Sequence, residues 1–322
     1  LYSGSRREDA VKALMNHPAL GGYFCSDEPR PDQFETVASM MNDICAVDKE
    51  HLCYANLFPT GGSDHYAALG VKDYREYVRK YLDTCPATFL SFDKYPIVNI
   101  GNGNIAVMAE WYQALEIASD EARKHGLDLW TFMLTCPHSS YPEPTVDHLR
   151  LQAYSNLAYG SQVLQCFTYW TPEVANPGFW NYRKAPIEDD GTRTETYDKV
   201  KSVLDEIQTL AWIFEDCTVE GVWHLAPGGN VPLDTEELTE LPEKAEEISV
   251  ADNEQALVSV LKNHGYTFMI FQNTDVNNKC SSYIKMKAGA RCVLKDGSVV
   301  PAEDVEEMSE LSSGDVRIYM WK

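Results

Sequence analysis

Positive charge is scarce in this chain: 27 lysines and arginines face 49 aspartates and glutamates, a net charge of −22 over 322 residues. A surface of that sign repels phosphate backbones and anionic lipid, which argues against nucleic acid or an acidic membrane as partner. No apolar run reaches the ~20 residues of a membrane-spanning helix. Cys-x-x-Cys and Cys/His metal spacings are missing, as are Gly-x-Ser-x-Gly, a Walker loop and His-Glu-x-x-His. With them go the signatures of dithiol redox chemistry, zinc centres, serine hydrolases and NTPases, and no cofactor or metal is expected. The nine cysteines are an odd number, and Cys25, Cys53 and Cys166 sit in apolar segments; they read as small core residues rather than a disulfide framework.

With 44% hydrophobic and 24% charged residues, the chain has material for one large domain and a smaller one. Its most informative segment is Gly22-Tyr23-Phe24-Cys25-Ser26-Asp27-Glu28-Pro29, a short apolar strand stopped by two carboxylates and a proline. Two carboxylates at the mouth of a buried strand are costly unless solvated or paired, so they need a reason. One reason is a helix cap, with Asp27 or Asp32 starting the next helix. The other is chemistry.

From Gly22 onward, strands alternate with helices. Strands are predicted at Tyr23–Ser26, Cys53–Leu57, Thr88–Phe92, Leu127–Leu134 and Val163–Tyr169. Helical patterns run near Asp32–Ala46, Asp73–Leu82, Ile105–Lys124, Thr145–Tyr159 and Thr194–Phe214. Such alternation, with strands apolar on both faces, predicts an α/β fold with a parallel sheet covered by helices. Each strand ends in polar or aromatic residues, including Asn56, Asp93-Lys94-Tyr95-Pro96, Thr135-Cys136-Pro137-His138 and Tyr169-Trp170-Thr171-Pro172. Sites in α/β folds are built at such carboxyl ends, so one shared pocket is expected. Residues 218–322 change texture: an acidic stretch and then short strands, with Lys295-Asp296-Gly297-Ser298 as a hairpin turn. They predict an all-β domain, a sandwich, after a domain covering residues 1–217.

The segment Gly22–Pro29 resembles the strand-four signature of the clan A glycoside hydrolases, (β/α)8 barrels that include the family 42 type β-galactosidases. Leu90–Pro96, Leu129–Phe132, Leu157–Gly160, Phe167–Trp170, Phe268–Asn273 and Gly314–Tyr319 are similar to segments of related glycosidases of gut Bacteroidetes. The resemblance implies a TIM barrel of which strands four to eight are present, followed by a C-terminal β-sandwich. Strands one to three are then expected on a separate part of the native protein, since the chain opens at Leu1 without an initiator Met or signal peptide. A periplasmic or extracellular location and a carbohydrate partner are implied in the same way.

Glycoside hydrolysis needs a carboxylic acid to protonate the leaving oxygen and a second carboxylate as nucleophile or base. Glu28 matches the strand-four acid, with Asp27 placed to keep its proton at higher pH. The family's strand-seven nucleophile has no counterpart, for Leu127–Cys136 holds no glutamate and Asp128 lies at the strand's beginning. Asp93 is the best-placed second carboxylate; Glu143 and Glu173 are alternatives. Asp93 equally fits a sugar-hydroxyl acceptor or a partner of Lys94 or Arg30. Trp170 matches the family's strand-eight platform for a sugar ring, and Tyr95, Trp130 and Trp180 are further candidate walls, Trp130 more simply as core. Asn56 and His138 are candidate hydroxyl-binding residues, or ligands of loop backbone. The competing function is a catalytically degenerate barrel that binds carbohydrate. Gly101-Asn102-Gly103-Asn104-Ile105-Ala106 fits a dinucleotide fingerprint in letters, but no tight strand precedes it and no acid follows at the right place. Asp275 among Asn273, Asn277 and Asn278 reads as a hairpin tip rather than a calcium site.

Overall fold

The computed structural model describes residues 5–108, 110–173 and 177–322. In chain order its elements are α1 (Ser5–Leu14), β1 (Gly22–Asp27), α2 (Phe34–Val47), β2 (Leu52–Leu57), α3 (Ser63–Leu69), α4 (Tyr74–Thr84), β3 (Phe89–Phe92), β4 (Ile97–Gly101), β5 (Asn104–Val107), α5 (Glu110–Lys124), β6 (Asp128–Leu134), α6 (Val146–Ala158), β7 (Ser161–Phe167), α7 (Pro177–Trp180) and α8 (Glu195–Phe214). Then come strands β8 (Thr218–Leu225), β9 (Ala245–Ser249), β10 (Ala256–Asn263), β11 (Tyr266–Asn273), β12 (Cys280–Met286), β13 (Arg291–Val293), β14 (Val299–Pro301), β15 (Met308–Leu311) and β16 (Val316–Trp321). The protein is thus mixed α/β, with a parallel sheet ordered β1-β2-β3-β6-β7 and separate sheets β14-β13-β16-β11-β10-β8 and β15-β12-β9.

Two compact units divide the chain. The first holds residues 1–94 and 117–131. In it β1, β2, β3 and the start of β6 pair in parallel, in sequence order. Helices α2 and α4 bury stripes at helical spacing, Phe34, Val37, Met41 and Ile44 on one and Tyr74, Tyr77, Val78 and Tyr81 on the other. Asp73 caps α4 by accepting from the Glu76 N–H at 2.8 Å. On one sheet face Phe24, Tyr54, Phe89 and Trp130 form an aromatic row, with Trp130 stacked on Phe89 at 3.9 Å between centroids. Trp130 is partly buried in this row, and Phe24 at its other end is exposed.

The second unit holds residues 95–116 and 132–322. Its helix α6 is buried on nearly every side because β7, α8, β10 and β11 all pack on it. The buried Gln272 on β11 ties strand to helix, accepting from Ser155 Oγ at 2.7 Å and donating to the Leu151 carbonyl at 3.2 Å. The sheets of residues 218–322 share one apolar core, drawn from Val258, Met269 and Phe271 on one side and Ile248 and Ile284 on the other. The 294–298 turn closes as expected, with Gly297 at φ +80° and its N–H donating to the Leu294 carbonyl at 2.9 Å. Asp275 Oδ1 accepts from the N–H groups of Asn277 and Asn278, an Asx turn.

The structure corrects one helix and adds three, α1, α3 and the short α7. The pattern assigned to Ile105–Lys124 begins as the hairpin β4–β5, turned at Asn102 (φ 53°) and Gly103 (φ 78°), and becomes helical only at Glu110. Asn-Gly supplies the two positive φ angles of a tight hairpin, so the Gly101–Ala106 motif is a turn rather than a phosphate cradle. Helices α1 and α3 carry no strong apolar period and were not expected from the sequence. The last strand of the parallel sheet spans Ser161–Phe167 rather than Val163–Tyr169, so Thr168–Trp170 lie beyond it. All nine cysteines are free thiols, six of them buried.

Gly314 offers a test of the packing on α6. Its φ is +68°, and a Cβ there would lie 2.4 Å from the Leu151 nitrogen and 2.5 Å from the Asp147 carbonyl oxygen, both helix backbone. Gly289 has a similar φ of +85° with open space around it. Gly314→Ala is expected to cost about 2–4 kcal/mol, combining a left-handed backbone penalty with overpacking, and Gly289→Ala about 1 kcal/mol. Thermal unfolding of both variants checks this; equal Tm losses would mean that the turn moves freely off the helix.

Candidate active site

Strand β1 is irregular where it matters. Its register against β2 slips between Phe24 and Ser26, leaving Cys25 as a bulge, and pairing resumes with Asp27 opposite Asn56. Bulges of this kind re-aim side chains beside functional sites. Glu28 follows with φ 45°, a left-handed backbone that costs a side-chain-bearing residue on the order of 1 kcal/mol. Two hydrogen bonds hold it there. The Glu28 N–H donates to the Asn56 carbonyl at 2.8 Å, and the Tyr77 hydroxyl donates to the Pro29 carbonyl at 2.8 Å. The same Tyr77 oxygen accepts from the Phe58 N–H at 3.3 Å, so one buried phenol from α4 joins the ends of β1 and β2.

The cap reading of these carboxylates is not what the structure shows. The short 3-10 turn Pro31–Gln33 is closed by Gln33, whose Oε1 accepts from the Arg30 N–H at 2.8 Å, and α2 has no side-chain cap. Asp27 is exposed, and Glu28 is half-buried.

At the end of β2 the side chain of Asn56 is engaged at both ends. Its Nδ2 donates to Asp93 Oδ1 at 2.7 Å, and its Oδ1 accepts from Ser91 Oγ at 2.8 Å. Ser91 stands opposite Asn56 in the β2–β3 register, and Asp93, two residues on, follows on the same face. Lys94 donates its ammonium to the Thr60 carbonyl at 3.0 Å, and Arg30 reaches the Ala68 carbonyl at 2.6 Å and Asp32 at 3.5 Å.

The electrostatics set Glu28 apart. Burial first, then the charges of Asp93 and Asp27, push its carboxyl up to about 7, well above an ordinary glutamate. A carboxylic acid still protonated near neutrality beside other carboxylates is the environment in which acid and base roles separate. This has a consequence for stability. Glu28's folded pKa lies above its unfolded value near 4.5, so the native state gains from its proton fully below pH 4.5 and loses that gain as pH rises through 7. Glu28→Gln removes the titration. The variant's Tm should match the wild type near pH 4.5 and exceed it at pH 8; a difference independent of pH would show that Glu28 is not held protonated.

The other expected site residues fall in two places. Asp27, Glu28, Asn56, Asp93 and Trp130 belong to the first unit. In the second, Tyr95 and His138 are buried in an aromatic cluster with Tyr141, Phe167 and Tyr182, and the His138 ring nitrogen lies 2.8 Å from the Cys136 carbonyl oxygen. Burial lowers the His138 pKa, which favours the neutral ring. Trp170 is 63% exposed and Trp180 is exposed as well. Glu143 is paired with Lys184 at 2.8 Å, which lowers its pKa, and Glu173 is exposed. Ser91 and Tyr77 were not singled out from sequence. A lone hydroxyl in the apolar run Phe89–Phe92, two residues before Asp93, was the available signal for Ser91. Among the described residues no group of three or more His, Cys, Asp or Glu is arranged to hold a metal ion, and no helix is long and apolar enough to cross a membrane.

The sequence matches no family model and no curated protein. Among solved structures, the chain is similar to a Bacteroides thetaiotaomicron protein described as a candidate α-L-fucosidase, at TM-score 0.43 and 12% identity over 62% of this chain and 59% of that one. It is similar to a β-galactosidase of psychrophilic Marinomonas ef1 at TM-score 0.38 and 15% identity, over 56% of this chain and 27% of that one. The Thermotoga maritima α-fucosidase, solved with fucose, follows at TM-score 0.35 and 9% identity, over 98% and 78%. The chain therefore spans 59% and 27% of the length of the first two.

Proposed function

We propose that this chain is a glycoside hydrolase that cleaves O-glycosidic bonds of an oligo- or polysaccharide by carboxylate catalysis. The observation that carries the reading is Glu28: a strand-end glutamate in a left-handed backbone, held protonated to about pH 7 by burial and by Asp93 and Asp27. In the proposed step Glu28 gives its proton to the glycosidic oxygen as the C1–O bond breaks. Asp93 either attacks C1 to form a glycosyl ester or takes a proton from the attacking water. In the first route Glu28 then acts as base for the incoming water; in the second a solvent proton restores it.

The proposed architecture is the second part of a (β/α)8 barrel, strands four to eight, over residues 1–217, followed by a β-sandwich over 218–322. The strand order supports the barrel, because doubly wound sheets reverse direction at a switch point and β1-β2-β3-β6-β7 follows the chain without reversal. The shared apolar core of the two C-terminal sheets supports the sandwich. Trp170, with its exposed ring, is proposed as a stacking surface for a pyranose. The same reading puts the protein in the periplasm or outside the cell.

A panel of aryl glycosides differing in sugar and anomer tests the function, with Glu28→Gln as control. Hydrolysis of one or more members, lost in the variant, is the expected result. Thr135–His138, after β6, carries no carboxylate, and this favours the second reading, a barrel that binds sugar without cutting it. Saturable binding of a sugar by the wild-type chain with no turnover of any glycoside would establish that reading instead.

A further inference from the structure

We infer that Asn56, locked by Ser91, is the positioning residue of the carboxylate site: its side chain aims Asp93 while its backbone carbonyl fixes Glu28. This rests on the hydrolase reading for the meaning of the two carboxylates, but its geometry stands on the hydrogen bonds alone. An asparagine side chain has one accepting end and one donating end. Ser91 Oγ donates to Oδ1 at 2.8 Å, so the amide nitrogen must face Asp93, which it meets at 2.7 Å. Turning the amide over would set its oxygen against the carboxylate. Ser91 is fully buried and Asn56 is 5% exposed, so water does not compete for these groups and each bond holds its geometry firmly.

The backbone adds the other half. The Asn56 carbonyl receives the Glu28 N–H at 2.8 Å, just beyond the bulge of β1. One residue therefore sets the orientation of Asp93 and the left-handed turn of Glu28. With its oxygen on Ser91 and an N–H on Asp93, Asn56 is placed to act through Asp93. Glu28 at the end of β1 and Tyr74 of α4, which burial holds neutral, interact with the Asp93 charge; Asp27 acts on Glu28, and Lys94, beside Asp93 in the chain, sets its ammonium on the Thr60 carbonyl.

The donated hydrogen bond favours the ionised form of Asp93, so losing it moves that carboxyl's titration upward. In the full chain, Asn56→Ala should raise the acid limb of the pH–rate profile by about one unit, the size expected for a lost hydrogen bond to a charged group. Ser91→Ala, which removes one oxygen and is the safer variant for folding, should move the same limb by about half a unit. The alkaline limb near 7 should stay in place. A loss equal at every pH, or a raised KM with both limbs fixed, would overturn the assignment. Carbon-13 NMR titration of aspartate carboxyls reads Asp93 without any substrate. An Asp93 titration unchanged in both variants sinks the positioning role even in an active hydrolase. A shifted titration in a protein that cuts no glycoside leaves positioning intact and sinks only the hydrolase reading.

Discussion

Under the proposed function, Glu28→Gln is expected to lower the rate of hydrolysis of glycosides with poor leaving groups by about 10²–10⁴-fold, the usual contribution of a positioned general acid. Glycosides of strongly acidic phenols lose less, because their leaving oxygen departs without a proton. This gradient separates loss of a proton donor from loss of fold. The amide is isosteric with the acid, and the Glu28 N–H keeps its bond to the Asn56 carbonyl. The pH profile carries the second signature. In its proposed role Glu28 must be protonated to act, so wild-type activity should fall as pH rises through about 7, and the variant's residual activity should lack that limb. The same rate and the same alkaline limb in Glu28→Gln would move the acid elsewhere, with Glu173 the next candidate because Glu143 is tied to Lys184.

The anchor of the candidate site was legible in the sequence for a physical reason: an apolar strand that stops at Asp27-Glu28-Pro29 leaves two carboxylates at its end, of which Glu28 is half-buried. The strand–helix rhythm likewise pointed to the parallel sheet, since apolar strands that alternate with helices pair in parallel. What the pattern hid was conformation and partnership. The slip at Cys25 and the left-handed φ of Glu28 depend on the register with β2, which no local signal encodes. Asn56 read as a hydroxyl-binding residue or a ligand of loop backbone; its side-chain bonds to Ser91 and Asp93 depend on the β2–β3 register, which no local pattern encodes. The hairpin at Asn102-Gly103 was mistaken for the start of a helix because the apolar residues Ile105–Met108 run on toward a true helical period. Turn chemistry outweighed periodicity there.

Asp93→Asn is expected to produce two effects that a hydroxyl-binding role would not. The first is a fall in kcat of about 100-fold or more with little change in KM, because a neutral amide neither attacks C1 nor takes a proton from water. An aspartate that only accepted a hydrogen bond from a sugar would instead raise KM and leave the rate at saturation largely intact. The second effect is on Glu28. Removing a neighbouring negative charge favours ionisation, so the alkaline limb of the residual kcat/KM profile should move below 7. It should stop short of the ordinary glutamate value, because burial is the larger cause of the shift and Asp27 remains. Product analysis of the wild type then assigns the role. Retained anomeric configuration makes Asp93 the nucleophile; inversion makes it the base that activates water. A limb fixed at 7 in Asp93→Asn would mean that burial alone protonates Glu28, and that the two carboxylates do not act as a pair.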